Sequence, residues 1–348
     1  MKLSNLLLVA SVHGKSGRNW VGKNSNRYVP ECESGRYNVA DISVHEEKLN
    51  DSGSSWDESL DHHFGACWMQ GMRNHMEDRV ITRKYLTDKH QAISLYIVFD
   101  GHGGDEIVKL AEKNLTDFLL DSNQKLFESL ENQADDIDPN EFKKLVEIQF
   151  PKFDVELMHE EKIHKKLLDP KIRSTSGCTC TGVFLTPDHV ILFNVGDSRT
   201  ILINENEDSP VIFASKDHKP DDPVETARIN AAGGFVTLPP KTYIPRVMGQ
   251  LALSRAFGDF QLKMKQVSQS EQPVIVDPDV TILDRSKVTH IVVGSDGVFD
   301  DLTNEEVAAF ATGKDGDIQK RTYDLLRKSL SAGSQDNMAA IVIALESE

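Results

Sequence analysis

The distribution of apolar residues changes abruptly near residue 61. Before that point polar and turn-forming residues dominate, ending in Asp51-Ser52-Gly53-Ser54-Ser55. Such a stretch has too little apolar surface to offset the entropy of ordering it, so residues 13–60 read as a polar flexible extension. Beyond it, short apolar runs recur: Leu95 to Phe99, Cys180 to Leu185, Val190 to Val195, Thr200 to Ile203, His290 to Val293 and Met338 to Ala344. Several alternate with a period of two, which predicts antiparallel strands buried on one face.

Helical patterns lie between them. Ile107, Leu110, Ala111, Leu115, Phe118 and Leu119 form one apolar stripe. The stretch from Asn140 to Leu168 predicts two charged amphipathic helices broken near Pro151. Pro223 to Ala232 predicts a short helix stopped by Gly233-Gly234. Thr303 and Glu306 have the spacing of a capping box ahead of Val307-Ala308-Ala309-Phe310, and Ile318 to Leu330 predicts a further helix. Strands on both sides of a long helical block predict an α+β fold. Two antiparallel sheets stack as a central β-sandwich flanked by α-helices, in four α-β-β-α layers, as one domain over residues 61–348.

Composition narrows the functional classes. A formal charge of −16 over 348 residues argues against a nucleic-acid partner, which calls for a basic face. The four cysteines have no zinc-ligand spacing, and Cys178 and Cys180 share one face of a strand as small core residues. At the N-terminus, Lys2 precedes Leu6-Leu7-Leu8-Val9-Ala10, followed by Ser11. Residues 1–12 are similar to a brief secretory signal, with a plain apolar extension as the alternative. The run is too short to span a bilayer, so no stable membrane insertion is expected. The cluster Lys162, Lys165, Lys166, Lys171 and Arg173 reads as a solvated helix face, with a partner contact as the alternative.

The chemistry lies where the apolar runs stop. Tyr96-Ile97-Val98-Phe99 ends in Asp100-Gly101, and Phe193-Asn194-Val195 ends in Gly196-Asp197. Ile291-Val292-Val293 ends in Gly294-Ser295-Asp296-Gly297, and Asp336-Asn337 directly precedes the last run. A single Asp-Gly is an ordinary turn. Four acids at the ends of adjacent antiparallel strands share one rim, where they cannot all stay ionised without a cation. Oxygen-only ligands select hard divalent ions, which points to a two-metal hydrolytic site. Arg73, just before Glu77-Asp78, suits a phosphate, and His102 can protonate a leaving alkoxide. Cys67 and Arg73 also satisfy a Cys-x5-Arg spacing, but Trp68-Met69-Gln70-Gly71-Met72 between them lacks the small residues of a phosphate-cradling loop.

Eight segments occur in a fixed order: Met69 to Asp78, Val98 to Gly104, Ser176 to Thr179, Asn194 to Arg199, Asp217 to Pro220, Leu251 to Asp259, Ser295 to Asp300 and Gly333 to Met338. Over about residues 62–346 they make the chain resemble the metal-dependent protein serine/threonine phosphatases of the protein phosphatase 2C type. The resemblance implies hydrolysis of phosphoserine and phosphothreonine in proteins by a metal-activated water, without a phosphoenzyme. It implies two Mg²⁺ or Mn²⁺ ions per site and a weaker third. Asp100, Asp296 and Asp336 resemble the ligands of one ion. Asp100, the Gly101 carbonyl and Glu77 resemble those of the second, and Asp78 holds a bound water. Asp197 and Asp300, with Asp296, resemble the third site. Arg73 matches the phosphate-binding arginine and His102 the general acid. Phosphoproteins are the implied partners of a monomer. The implied location is cytoplasmic or nuclear, or outside the cell if residues 1–12 act as a signal.

Overall fold

The computed structural model describes residues 31–32, 62–83, 86, 93–124, 126–127, 138–160, 163, 175–240, 243–263 and 268–345. The signal-like segment, most of the polar extension and the basic cluster around Lys165 lie outside the described residues. The strands are β1 (Glu31–Cys32), β2 (His62–Met69), β3 (Arg79–Arg83), β4 (Ser94–Phe99), β5 (Gly101–His102), β6 (Gly177–Cys178), β7 (Cys180–Leu185) and β8 (His189–Val195). They continue as β9 (Arg199–Ile203), β10 (Val211–Ala214), β11 (Val236–Thr237), β12 (Arg246–Val247), β13 (Phe257–Gly258), β14 (Asp279–Asp284), β15 (His290–Gly294) and β16 (Met338–Leu345). The helices are α1 (Glu106–Ser122), α2 (Pro139–His159), α3 (Pro223–Ala231), α4 (Asp296–Phe299), α5 (Asn304–Ala311) and α6 (Ile318–Ala332).

One sheet has the order β1-β2-β16-β15-β9-β10 and the other β14-β8-β7-β4-β3, antiparallel at every pairing. Side-chain alternation sorts their residues into three apolar layers. Tyr96 and Val98 of β4 meet Ile291, Val293, Ile341 and Ile343 of the facing sheet. Leu95, Ile97 and Phe99 point the other way, under α1 and α2, with Ile107, Leu115, Phe142 and Phe150. Val292, Ala340 and Val342 pack outward against Val307, Leu325 and Leu326 of α5 and α6. The four predicted layers are present. The expectation of half-buried strands is corrected: β4, β7, β15 and most of β16 are buried on both faces, because helices cover both outer surfaces. Among the described residues, no helix is long and apolar enough to cross a membrane.

The predicted break at Pro151 is also corrected, since α2 runs through it to His159. Pro151 forfeits one backbone donor, but Phe142, Val146, Phe150, Phe153 and Leu157 hold both halves of the helix on the core. Thr303 and Glu306 make the capping box in full. Two residues of the polar extension are ordered in the sheet: β1 pairs Glu31 with Trp68 and Cys32 with Cys67.

A buried ion pair ties α2 to the segment carrying β13. Asp154 accepts from the Gly258 N–H at 2.8 Å and from Lys263 Nζ at 2.7 Å, and Lys263 Nζ also donates to the Ala256 carbonyl at 2.8 Å.

Candidate metal centre

Both sheets end on the same rim, and each delivers carboxylates to it. In the five-stranded sheet, Asp100 follows β4 and Asp197 follows β8. The Asp100 N–H donates to Thr179 Oγ1 at 2.9 Å, and that hydroxyl bonds Ser198 at 2.7 Å, which fixes the two strand ends together. In the six-stranded sheet, Asp296 follows β15 and opens α4, while Asp336 precedes β16. The Ser295 N–H donates to the Ala339 carbonyl at 3.0 Å, and the Ala339 N–H donates to Ser295 Oγ at 2.9 Å. That reciprocal pair sets the turn from which Asp296 projects.

One carboxylate oxygen from each of Asp100, Asp197 and Asp296 lies within 4.8 Å of the other two. Asp78 is buried, neither of its oxygens has a hydrogen-bond partner of good geometry, and the neighbouring Ser295 hydroxyl only partly offsets its burial. Burial first, then mutual repulsion, pushes Asp78, Asp100 and Asp296 well above the ordinary carboxylate range. Asp336 is raised by burial against the opposing Arg73 charge, and Asp300 by burial against Lys219. These acids have too few donors of their own. An all-oxygen set of this kind suits a hard divalent cation.

The loop carrying Arg73, Glu77 and Asp78 is stapled to the rim by Asn337. Its Oδ1 accepts from the Glu77 N–H at 2.8 Å, and its Nδ2 donates to the Gln70 and His75 carbonyls at 2.8 and 2.9 Å. Gly71 has φ +58° and leaves no room for a side chain against the Asp336 carbonyl, so the loop lies directly on that residue. Arg73 accordingly reaches the Asp336 carboxylate as an ion pair, with most of its side chain exposed. Gly101 lies against the Glu77 carbonyl.

The structure therefore brings together the predicted Asp78, Asp100, Gly101, Asp197, Asp296 and Asp336, with Glu77 on the adjoining loop. Asp300 caps α4 and is close enough to act on Asp296 electrostatically, but it stands outside the tight triad. His102 Nε2 lies 2.7 Å from Asp259 Oδ2. Burial opposes the imidazolium, but Asp259 outweighs it, so His102 titrates above its ordinary value.

Sequence reasoning assigned no role to Asp259, Lys219, Asn337 or Thr179. Lys219 Nζ sits 2.6 Å from Asp197 Oδ2 and brings a positive charge into the acid cluster. All four occur in the ordered segments quoted above. Only their long-range contacts reveal what they do.

The Cys67–Arg73 alternative finds no support in the geometry. Cys67 is buried within β2 beneath α6, where Gln319 Nε2 donates to its sulfur at 3.3 Å, while Arg73 sits on Asp336. If the chain hydrolyses phosphate esters, a Cys67→Ser variant is expected to keep that activity within about twofold of wild type per folded molecule, because an inert core thiol makes no nucleophile. Loss of turnover in the soluble, folded variant would contradict this. Cys178 and Cys180 are core residues as expected, and burial pushes both thiols well up.

Comparison with known proteins agrees with this architecture. A family model described as protein phosphatase 2C matches residues 62–338. The chain is 34% identical over 293 residues to the protein phosphatase ppm-1.A of Caenorhabditis elegans, covering 80% of this chain but only 58% of that protein. It is 34% identical to protein phosphatase 2C 1 of Paramecium tetraurelia, covering 81% of this chain and 92% of the relative. Bovine protein phosphatase 1A is 31% identical over 288 residues, with 80% and 70% covered. The crystal structure of a serine-threonine phosphatase 2C from Toxoplasma gondii shares the fold with a TM-score of 0.67 at 21% identity, covering 81% of this chain and 95% of that one.

Proposed function

Because the chain belongs to the protein phosphatase 2C family, we propose that it hydrolyses phosphoserine and phosphothreonine in proteins, using Mg²⁺ or Mn²⁺ held by the carboxylate rim. The observation that carries this reading is the convergence of one carboxylate oxygen each from Asp100, Asp197 and Asp296 within 4.8 Å, beside a buried Asp78 with no hydrogen-bond partner of good geometry. Asp100, Asp296 and Asp336 would hold one ion, and Asp100, the Gly101 carbonyl and Glu77 a second. Asp78 would orient a water, and Asp197, Asp300 and Asp296 would form a weaker third site. When bound, such ions supply a water that is deprotonated near neutral pH.

The chain's own residues do the rest. Arg73 stands at the mouth of the site with a planar, permanently charged fork, suited to gripping a phosphoryl group in bidentate fashion. His102 supplies the proton that the departing alkoxide needs. Lys219 shares the charge of Asp197, which supports a weak rather than tight third site.

The test is hydrolysis of a phosphothreonine peptide with Mn²⁺ and then with excess EDTA. Turnover that survives EDTA would reject the reading. Thermal melting gives an independent check with a defined sign. The carboxylates of Asp78, Asp100 and Asp296 titrate above their unfolded values in the metal-free chain. Their protonation therefore stabilises the fold below about pH 4, and that stability is lost as pH rises through the raised values. Metal requires the deprotonated form, so its stabilising effect runs the other way and grows toward neutral pH. At a hundredfold excess over Kd it amounts to about 2.7 kcal/mol.

A further inference from the structure

His102 and Asp259 lie 157 residues apart in sequence. They meet through a small antiparallel sheet of three two-residue strands, in the order β13-β6-β5. Across it His102 pairs with Gly177, and Gly177 pairs in turn with Gly258. Asp259 follows at φ 49°, ψ 34°, in the left-handed region that a residue with a side chain seldom adopts. Its N–H donates to the Ser176 carbonyl at 3.0 Å, and the Asp154–Lys263 pair holds Gly258 and Ala256 from the other side. The Asp259 carboxylate is buried, yet 2.7 Å from His102 Nε2. A methyl group on Gly177 would overlap both Asp259 Oδ2 and His102 Nε2, so this position keeps the two in contact.

We propose that Asp259 is the positioning residue for His102: it holds Nε2, fixes the plane of the ring and leaves Nδ1 as the nitrogen that serves the departing oxygen. This rests on the phosphatase reading above. As the substrate P–O bond breaks, its electron pair stays on the serine or threonine oxygen, which takes a proton from His102. The incoming water forms the new P–O bond, and the proton it releases restores the imidazolium. A carboxylate on one ring nitrogen fixes which proton is delivered and in what direction, as a third group does for other acid–base pairs.

The test compares kcat on a phosphothreonine peptide with kcat on p-nitrophenyl phosphate. The alkoxide of threonine needs a proton to leave, whereas p-nitrophenolate does not. In Asp259→Gly, which suits the left-handed backbone, the peptide-to-aryl ratio of kcat is expected to fall about tenfold or more, with KM little changed. Asp259→Asn keeps an acceptor oxygen and is expected to restore most of the ratio. In a His102→Gln background, Asp259→Gly should lower the ratio no further. If Asp259→Gly does not fold, Gly177→Ala separates the same two groups while retaining both, and the ratio should fall likewise. A proportional loss on both substrates would mean that Asp259 only supports the fold, and would overturn the inference. A wild-type chain that hydrolyses neither substrate would overturn the phosphatase reading itself. A wild-type chain active on both, with an unchanged ratio in the variants, would remove the positioning role alone.

Discussion

An Asp296→Asn chain is expected to lose about a thousandfold in Mn²⁺-dependent turnover, and yet to melt at a higher temperature than wild type once metal is stripped from both. The two effects have one cause. Asp296 sits at the meeting of the two sheets, with one of its oxygens within 4.8 Å of an oxygen of Asp100 and of Asp197, and its pKa is driven up by burial and by Asp100, Asp197, Asp300 and Asp336. Without a cation, each negative charge in that group destabilises the others. Asparagine keeps the shape and removes one charge, so the metal-free fold gains stability. A rise of about 2–4 °C per kcal/mol is the scale for a domain of this kind. On the proposed reading, the same substitution would remove a ligand and much of the electrostatic stabilisation a phosphoryl transition state requires. Turnover with Mn²⁺ and melting in EDTA check both halves. A metal-free melting point equal to or below wild type would refute the account of a strained acid cluster, whatever the activity.

Lys263→Met is the stability variant with the largest expected effect, a loss of about 3–5 kcal/mol in urea or thermal unfolding. Asp154 is fully buried and Lys263 nearly so. Burial already raises the Asp154 carboxyl, with Lys263 the chief group opposing it. Methionine fills the volume of the lysine stem but strands the carboxylate. The Ala256 carbonyl and the Gly258 N–H would then be held less firmly. Adding Asp154→Leu should recover much of the loss, because a paired charge replaced by two apolar groups is often nearly neutral. A single variant within about 1 kcal/mol of wild type would mean that water reaches Asp154 and that the pair is not dry.

What could be read from the sequence follows from how each element is buried. The strands Ser94–Phe99, Cys180–Leu185 and Met338–Leu345 are covered on both faces, so their residues are apolar almost without interruption. β3 and β14 escaped notice because they lie at the edges of their sheet, where Arg79, Arg83, Asp279 and Asp284 break the pattern. Pro151 misled because a local rule about helices yields to packing when five large side chains hold the helix in place. At the rim, Asp100, Asp197, Asp296 and Asp336 could be picked out because each stands beside a turn at the end of an apolar run. Nothing local distinguishes Asp259 or Lys219 from other acidic and basic residues, since the role of each depends on a partner far away in the chain. That dependence is a property of tertiary structure, and no single-sequence pattern encodes it.

The central place of β16 has a consequence for biosynthesis. It pairs with β2 on one side and β15 on the other, so residues 62–69 meet residues 338–345 in the middle of a sheet. Every other element of that sheet precedes β16 in the chain. During translation the strands already made must wait with an open seam, exposing apolar surface that aggregates readily. Pairing at such long sequence separation is slow as well. Asp336 and Asn337 arrive with that same strand, and Asn337 fixes the loop bearing Arg73, Glu77 and Asp78. A nascent chain stalled before residue 336 would therefore have neither a closed sheet nor a finished rim, so the need to shield the open seam ends with the same strand that completes the carboxylate cluster.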